Sequence, residues 1–260
     1  ENTGVDVGLG ATSGTIDDSD SDISFTPSNT GSEPISTVIT VTPTFTNDGV
    51  SCTTNTSQNF TITVNPQSQI NNFTETICEG GLGFSDITPM NGTDGVVLSG
   101  TTYSWVIDTN NSSSDITGGS SGNGPTILGS VLQNASNSPQ DLTYTVTPTS
   151  GDNCEGEDFT VTITVNPASD ISSSSETLCT GDTFSYTPED GTNGVVPTGT
   201  TYAWTVSGDG VVTGGSSSTS SSSTIGGQQG QQLVNLTSSP ATLTYTVTPT
   251  SGDNCEGEDF

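Results

Sequence analysis

One eighteen-residue text stands twice in the chain: Leu142–Phe159 reads LTYTVTPTSGDNCEGEDF, and Leu243–Phe260 repeats it letter for letter 101 positions later. Thr143–Thr147 and Phe159–Val165 alternate β-branched or aromatic residues with Thr at a period of two. The Ser150-Gly151-Asp152-Asn153 cluster between them is rich in turn formers, so Leu142–Pro167 is predicted to be a β-hairpin closed by Asn166-Pro167. A worn version lies earlier, in Val38–Pro43 (VITVTP), Cys52 and Phe60–Pro66 (FTITVNP). One supersecondary unit recurring at a fixed long period is the signature of a tandem array, and every functional question then belongs to the repeat.

Proline spacing sets the register: Pro34, Pro139 and Pro240 each stand nine residues before Pro43, Pro148 and Pro249. Residues 1–66 therefore match the C-terminal part of a repeat, 67–167 form a complete one, and 168–260 a repeat lacking its last strand, so both ends read as cuts from a longer chain. The worn copy carries three extra residues between Pro43 and Cys52, compared with Pro148 to Cys154, where a hairpin loop tolerates insertion. The complete repeat opens with Thr76–Gly80 and a strand that contains Phe84 and ends at Pro89. It continues through the turn Asn91–Gly95, the strand Thr102–Ile107, a loop from Thr109 to Gly124, and Thr126–Asn134. The next repeat keeps this order: Thr177–Gly181, Phe184–Pro188, Gly191–Val196, Tyr202–Val206, a Ser-rich loop Ser216–Ser223, then the hairpin text. Seven or eight short strands in about 100 residues, with no helical period, predict an all-β fold of tandem β-sandwich modules.

Composition removes most chemistry. The chain has no Lys, Arg or His and 29 acidic residues, for a formal charge of −29. There is no imidazole base, amine nucleophile or phosphate-binding lysine, and no Lys–Asn isopeptide cross-link can form. A surface without cations excludes nucleic acid as a partner. Hydrophobic residues are only 27 %, ordinarily a mark of disorder. Here they fall in alternating Thr/Val/Ile/Tyr/Phe runs, and Thr supplies a β-compatible surface that a hydrophobic count misses. No apolar run is long enough for a membrane helix, so no membrane insertion is expected in this segment.

Five cysteines occupy two repeat positions, an opening one (Cys78, Cys179) and a hairpin one (Cys52, Cys154, Cys255). The favoured pairing is Cys78 with Cys154 and Cys179 with Cys255, with Cys52 bonded to an upstream cysteine, because a sandwich brings its first strand and last hairpin to one end. The rival pairs Cys52 with Cys78 and Cys154 with Cys179, stapling neighbours; a third possibility is free buried thiols. Structural disulfides imply an oxidising, extracellular compartment.

Alternating carboxylates mark two further places. Asp18, Asp20 and Asp22 form one, and Asp152 with Glu155, followed by Glu157 and Asp158, the other. Acidic oxygens on a loop suit Ca²⁺, although the absence of EF-hand spacing favours a solvated acidic loop with no cofactor. A glycosidase pair would need a cleft that a repeated hairpin module does not offer. Glycosylation sequons stand at Asn55, Asn59, Asn72, Asn91, Asn110, Asn111, Asn134 and Asn235, and the Ser/Thr runs around Ser112 and Ser216 are O-glycan candidates.

Tyr202-Ala203-Trp204-Thr205-Val206-Ser207-Gly208-Asp209-Gly210, the opener Leu178-Cys179-Thr180-Gly181-Asp182, and Tyr144–Pro148 running to Cys154 and Val165-Asn166-Pro167 are the residues that carry a resemblance. The chain resembles the PKD-like and Ig-like repeats of large secreted Bacteroidetes surface proteins, including gliding-type adhesins exported by the type IX system. Val106–Asn110 departs from that pattern in lacking Gly-Asp-Gly. The Cys78, Trp105, Cys154 order is superficially that of an immunoglobulin domain, but the second cysteine falls ten residues beyond Tyr144, in the turn. The resemblance implies a non-enzymatic, extracellular stalk or filament segment of a bacterial surface adhesin, with Trp105 and Trp204 as core residues. Its partners would be neighbouring repeats, other copies in a filament, and a surface polysaccharide or host ligand. Two alternatives are a filament subunit that assembles by β-strand complementation through a strand such as Phe159–Val165, and a carbohydrate-binding module with an aromatic platform.

Overall fold

The computed structural model describes residues 2–4, 7–8, 25–53, 56–81, 83–208, 210–226 and 232–260, and within them every regular element is a β-strand. The repeated hairpin is the spine of the complete module. Gln140–Thr149, the tyrosine strand, pairs antiparallel with Phe159–Asn166, the closing strand, from Gln140 opposite Val165 to Val146 opposite Phe159. The tryptophan strand, Thr102–Ile107, lies along the other side of the tyrosine strand, and Gly122–Gly124 edges the sheet beyond it. The fifth strand is the opening one, Phe73–Cys78, which runs parallel to the closing strand.

Alternation decides which face of this sheet is buried. Phe159, Val161, Ile163 and Val165 are buried while the threonines between them are half-exposed, the period-two signature of a sheet covered on one side. In one core with that face are Phe84, Ile116, Ile127 and Leu132; Ile116 belongs to a short strand antiparallel to Gln133–Asn134, and Ile127 bridges Ile87. The last module builds its own core around Ile171, Tyr202, Trp204, Ile225 and Val247. Its sheet runs Ser218–Ser222, Thr201–Gly208, Leu243–Thr250, and along the far edge of Leu243–Thr250 Phe260 exchanges backbone hydrogen bonds with Val247 and Gly257 donates to the Pro249 carbonyl.

In residues 1–66 the hairpin recurs as Ile35–Val41 paired with Gln58–Val64, with Asn2–Gly4 beside the first. The three extra residues are taken up by an additional hairpin, Thr44–Asn47 with Val50–Thr53, turned by Asp48 and Gly49 at φ 48° and 80°. Positive φ at both central positions is what a two-residue turn needs to match the strand twist.

The disulfide is not where the sandwich argument put it. Cys78 is bonded to Cys255, at a Cα separation of 5.4 Å across 177 residues of sequence. Cys52, Cys154 and Cys179 are thiols, so neither Cys78–Cys154 with Cys179–Cys255 nor the rival hairpin-to-next-opener pairing is present. The parallel opening strand is the physical reason. It puts Cys78 level with Asn166, at the end of the closing strand, while Cys154 precedes the start of that strand. Seven steps of strand at about 3.3 Å each hold the two about 23 Å apart, far beyond disulfide reach. The end that carries Cys78 is the end where Asn166-Pro167 leads into the next module, and there the next hairpin supplies Cys255.

Two segments read as loops are partly strand. Ile116–Thr117 and Gly122–Gly124 lie within 109–124, and Ser218–Ser222 pairs with Thr201–Gly208 through a bulge. An edge strand needs only backbone groups on one side, so Ser and Gly suffice and leave no apolar alternation to read. Phe159–Asn166, considered as a donor to a neighbour, is hydrogen-bonded on both sides within its own module.

Candidate functional site: the joint between modules

The joint begins with the hairpin loop. Ser150 donates its N–H to the Cys154 carbonyl at 3.0 Å, Asn153 donates to the Ser150 carbonyl at 2.9 Å, and Gly156 donates to the Pro148 carbonyl at 2.8 Å. Asn153 takes φ 60°, a left-handed conformation that Asn tolerates better than most residues. The second copy is the same loop: Ser251 to Cys255 at 2.9 Å, Asn254 to Ser251 at 3.0 Å, Gly257 to Pro249 at 2.9 Å, and φ 62° at Asn254. Identical sequence has produced one rigid presentation of a cysteine, twice.

The linker comes to this loop already fastened. Glu79, next to the bonded Cys78, accepts the Ala168 N–H at 2.7 Å with one carboxylate oxygen and the Asn134 N–H at 2.9 Å with the other. The buried Asn134 amide donates to the carbonyls of Val165 and Ser138 at 2.8 and 2.9 Å, and its oxygen accepts the N–H and hydroxyl of Ser136. Ser169 is buried and shares a hydrogen bond of 3.3 Å with Thr200, whose hydroxyl donates to the Pro197 carbonyl at 2.6 Å. Gly257 lies against the Ser169 carbonyl so closely that a Cβ would overlap it. The downstream hairpin thus sits on the linker that leaves the upstream module, and the disulfide closes the contact.

A further tie crosses the joint at its rim. Asn137 donates its amide to the Asp190 carboxylate at 2.6 Å. The Val196 N–H, which also donates to Asp190, and the Asn137 amide together hold this carboxyl below the usual carboxylate range.

The upstream end of the complete module repeats the downstream half of this design. Ser68 is buried with Thr101 at 3.0 Å, Thr101 donates to the Leu98 carbonyl at 2.7 Å, and Gly156 lies against the Ser68 carbonyl. Gln67 adds a hydrogen bond of 2.6 Å to the Glu155 carbonyl. Cys154 stands there in the place that Cys255 holds at the next joint.

The acidic residues singled out from sequence are dispersed. Among the described residues no group of three or more His, Cys, Asp or Glu side chains could hold a metal ion. Asp152 and Glu155 lie on the hairpin loop without a third acidic partner, and Asp158 accepts the Thr147 hydroxyl instead. Asp18, Asp20 and Asp22, and the sequon at Asn55, lie outside the described residues. The sequon at Asn134 is an internal fastening with both amide hydrogens engaged, and Asn235 repeats part of it by donating to Ser239 at 2.8 Å. Trp105 and Trp204 are buried and donate their indole N–H to the carbonyls of Ser120 and Ser216. They are core residues and offer no platform to a sugar.

Glu79, Ser169 and Gly257 were not singled out by residue chemistry, and Asn134 only as a glycan acceptor, yet a signal for most of them existed. Ser68 and Ser169 each stand two residues after the Pro that ends a module, Asn134 and Asn235 are 101 apart, and Gly156 and Gly257 lie in the duplicated text.

The family model for the PKD-like domain matches residues 75–169 and again 171–260. The chain belongs to the PKD-like domain family. The matched segments abut at the joint, so the two PKD-like domains are the two modules that Cys78 and Cys255 connect. No curated protein matches the chain. PKD-like domains are generally non-catalytic, and a disulfide-bonded PKD-like pair points to an extracellular structural module. No helix among the described residues is long and apolar enough to cross a membrane.

Proposed function

We propose that this PKD-like chain is a load-bearing stalk segment of a bacterial cell-surface adhesin, an array whose modules are stapled to one another. The observation that supports it is the Cys78–Cys255 bond, which joins the opening strand of one module to the hairpin of the next. Tension applied to the two ends passes from Cys78 through the disulfide to Cys255, and residues 79–254 are bypassed. In the chain-entropy picture, closing a loop of 177 residues also contributes about 5 kcal/mol. Buried linker contacts stiffen the joint, and repulsion among carboxylates that have no basic partners favours extension at low salt.

Single-molecule pulling tests this. The oxidised chain should release none of the length between Cys78 and Cys255, and adding a reductant should release about 600 Å more, from 177 residues at roughly 3.5 Å each. Equal extension in both conditions would remove the staple from the load path.

A further inference from the structure

The Cys78–Cys255 bond has two shadows in the same molecule. Translation by one 101-residue repeat carries Cys78 onto Cys179 and Cys255 back onto Cys154, and both of these are thiols. We propose that Cys154 and Cys179 are the unmatched halves of the same staple, Cys154 taking the opening cysteine of a PKD-like module placed before it and Cys179 the hairpin cysteine of one placed after it.

Cys154 is held as its bonded copy is held. Its N–H donates to the Ser150 hydroxyl at 3.3 Å, against 3.2 Å from Cys255 to Ser251, and its sulfur lies 4.0 Å from the Asp152 carbonyl, against 3.9 Å from Cys255 to that of Asp253. The loop therefore presents this sulfur in the bonded geometry before any partner arrives. The groups that seat a hairpin on a linker are in place there too, with Gly156 on Ser68 as Gly257 is on Ser169. Cys179 is exposed. Its neighbour Thr180 accepts the Asn235 N–H at 3.3 Å, as Glu79 accepts that of Asn134 at the formed joint.

The chemistry is thiol–disulfide exchange. Each new bond forms as two cysteine thiols give up two protons and two electrons, and a small-molecule disulfide of the oxidising compartment takes them and leaves as two thiols. Extended along an array, every opening cysteine reaches forward one module, and each module is covalently tied to both neighbours. The proposal rests on the array reading for the identity of the partner, but pulling tests load and the following experiment tests linkage, so either can fail alone.

The 260-residue chain is lengthened after Phe260 by a second copy of residues 160–260, with T177S and T219S in the added copy as mass markers for its two cysteine peptides, and refolded in a glutathione redox buffer. Native alkylation and peptide mapping then follow each cysteine. In the unlengthened chain Cys154 and Cys179 should both be alkylated. In the lengthened chain Cys179 should lose its alkylation and be found linked to the marked hairpin peptide, while Cys154 stays reactive. With C179S, the marked hairpin thiol should become reactive in turn. Cys179 that stays reactive while Cys78–Cys255 forms, or that is linked to Cys255 of its own module, overturns the proposal.

Discussion

Asn137 and Asp190 belong to different modules and meet at 2.6 Å on an exposed rim, which makes them a reporter of the joint. Because the Asp190 carboxyl is held below its ordinary value, its contribution is fully present above about pH 4, the unfolded range for Asp, and is lost as pH falls through the lower folded value. The melting temperature of the chain should fall with acid more steeply than that of D190N, and N137A should lie between them; identical acid profiles for all three would show that this contact does not couple to folding. Asn134 makes a different kind of contribution, since both amide hydrogens are spent inside the protein. N134A leaves the Val165 and Ser138 carbonyls without those donors and should cost about 1–3 kcal/mol in urea unfolding. At this scale the sequence shows where the cysteines and turn residues are, because repetition marks them, but Asn134 looks like a glycan acceptor there. Nothing in an Asn-x-Ser triplet reveals whether the amide faces solvent or a pair of carbonyls.

Among the elements, the closing strand contributes Phe159, Val161, Ile163 and Val165 to the core of its module. Ile163 is fully buried on it, between the tyrosine strand and the opening strand, and I163A should destabilise the chain by about 2–5 kcal/mol. The half-exposed Thr162 beside it should tolerate Ala with a much smaller loss, and calorimetric or denaturant unfolding of the pair would show whether the alternation has the assigned face inward. Alternation is why both hairpin strands are legible in the text. Period two identifies a strand and its buried face but not its neighbour, and so the parallel partnership of Phe73–Cys78 with Phe159–Asn166 has no mark in the sequence. That missing fact alone redirected Cys78 from Cys154 to Cys255. Ser218–Ser222 escaped for another reason: an edge strand with no apolar residue shows only its composition.

For the whole molecule, the array was legible and its fastening was not. A 101-residue repeat and an all-β fold of sandwich modules follow from patterning. The order of covalent ties depends on which module end each cysteine reaches, a property of topology. With the tie running across the joint, two PKD-like domains form one covalent unit, and the linker is buried beneath the second domain's hairpin. The direct test is disulfide mapping of the unreduced chain. Cleavage after glutamate leaves Cys78 in residues 76–79, Cys154 in 80–155, Cys179 in 177–189 and Cys255 in 190–256. Residues 76–79 should be recovered linked to 190–256; their recovery linked to 80–155 would contradict a staple between modules.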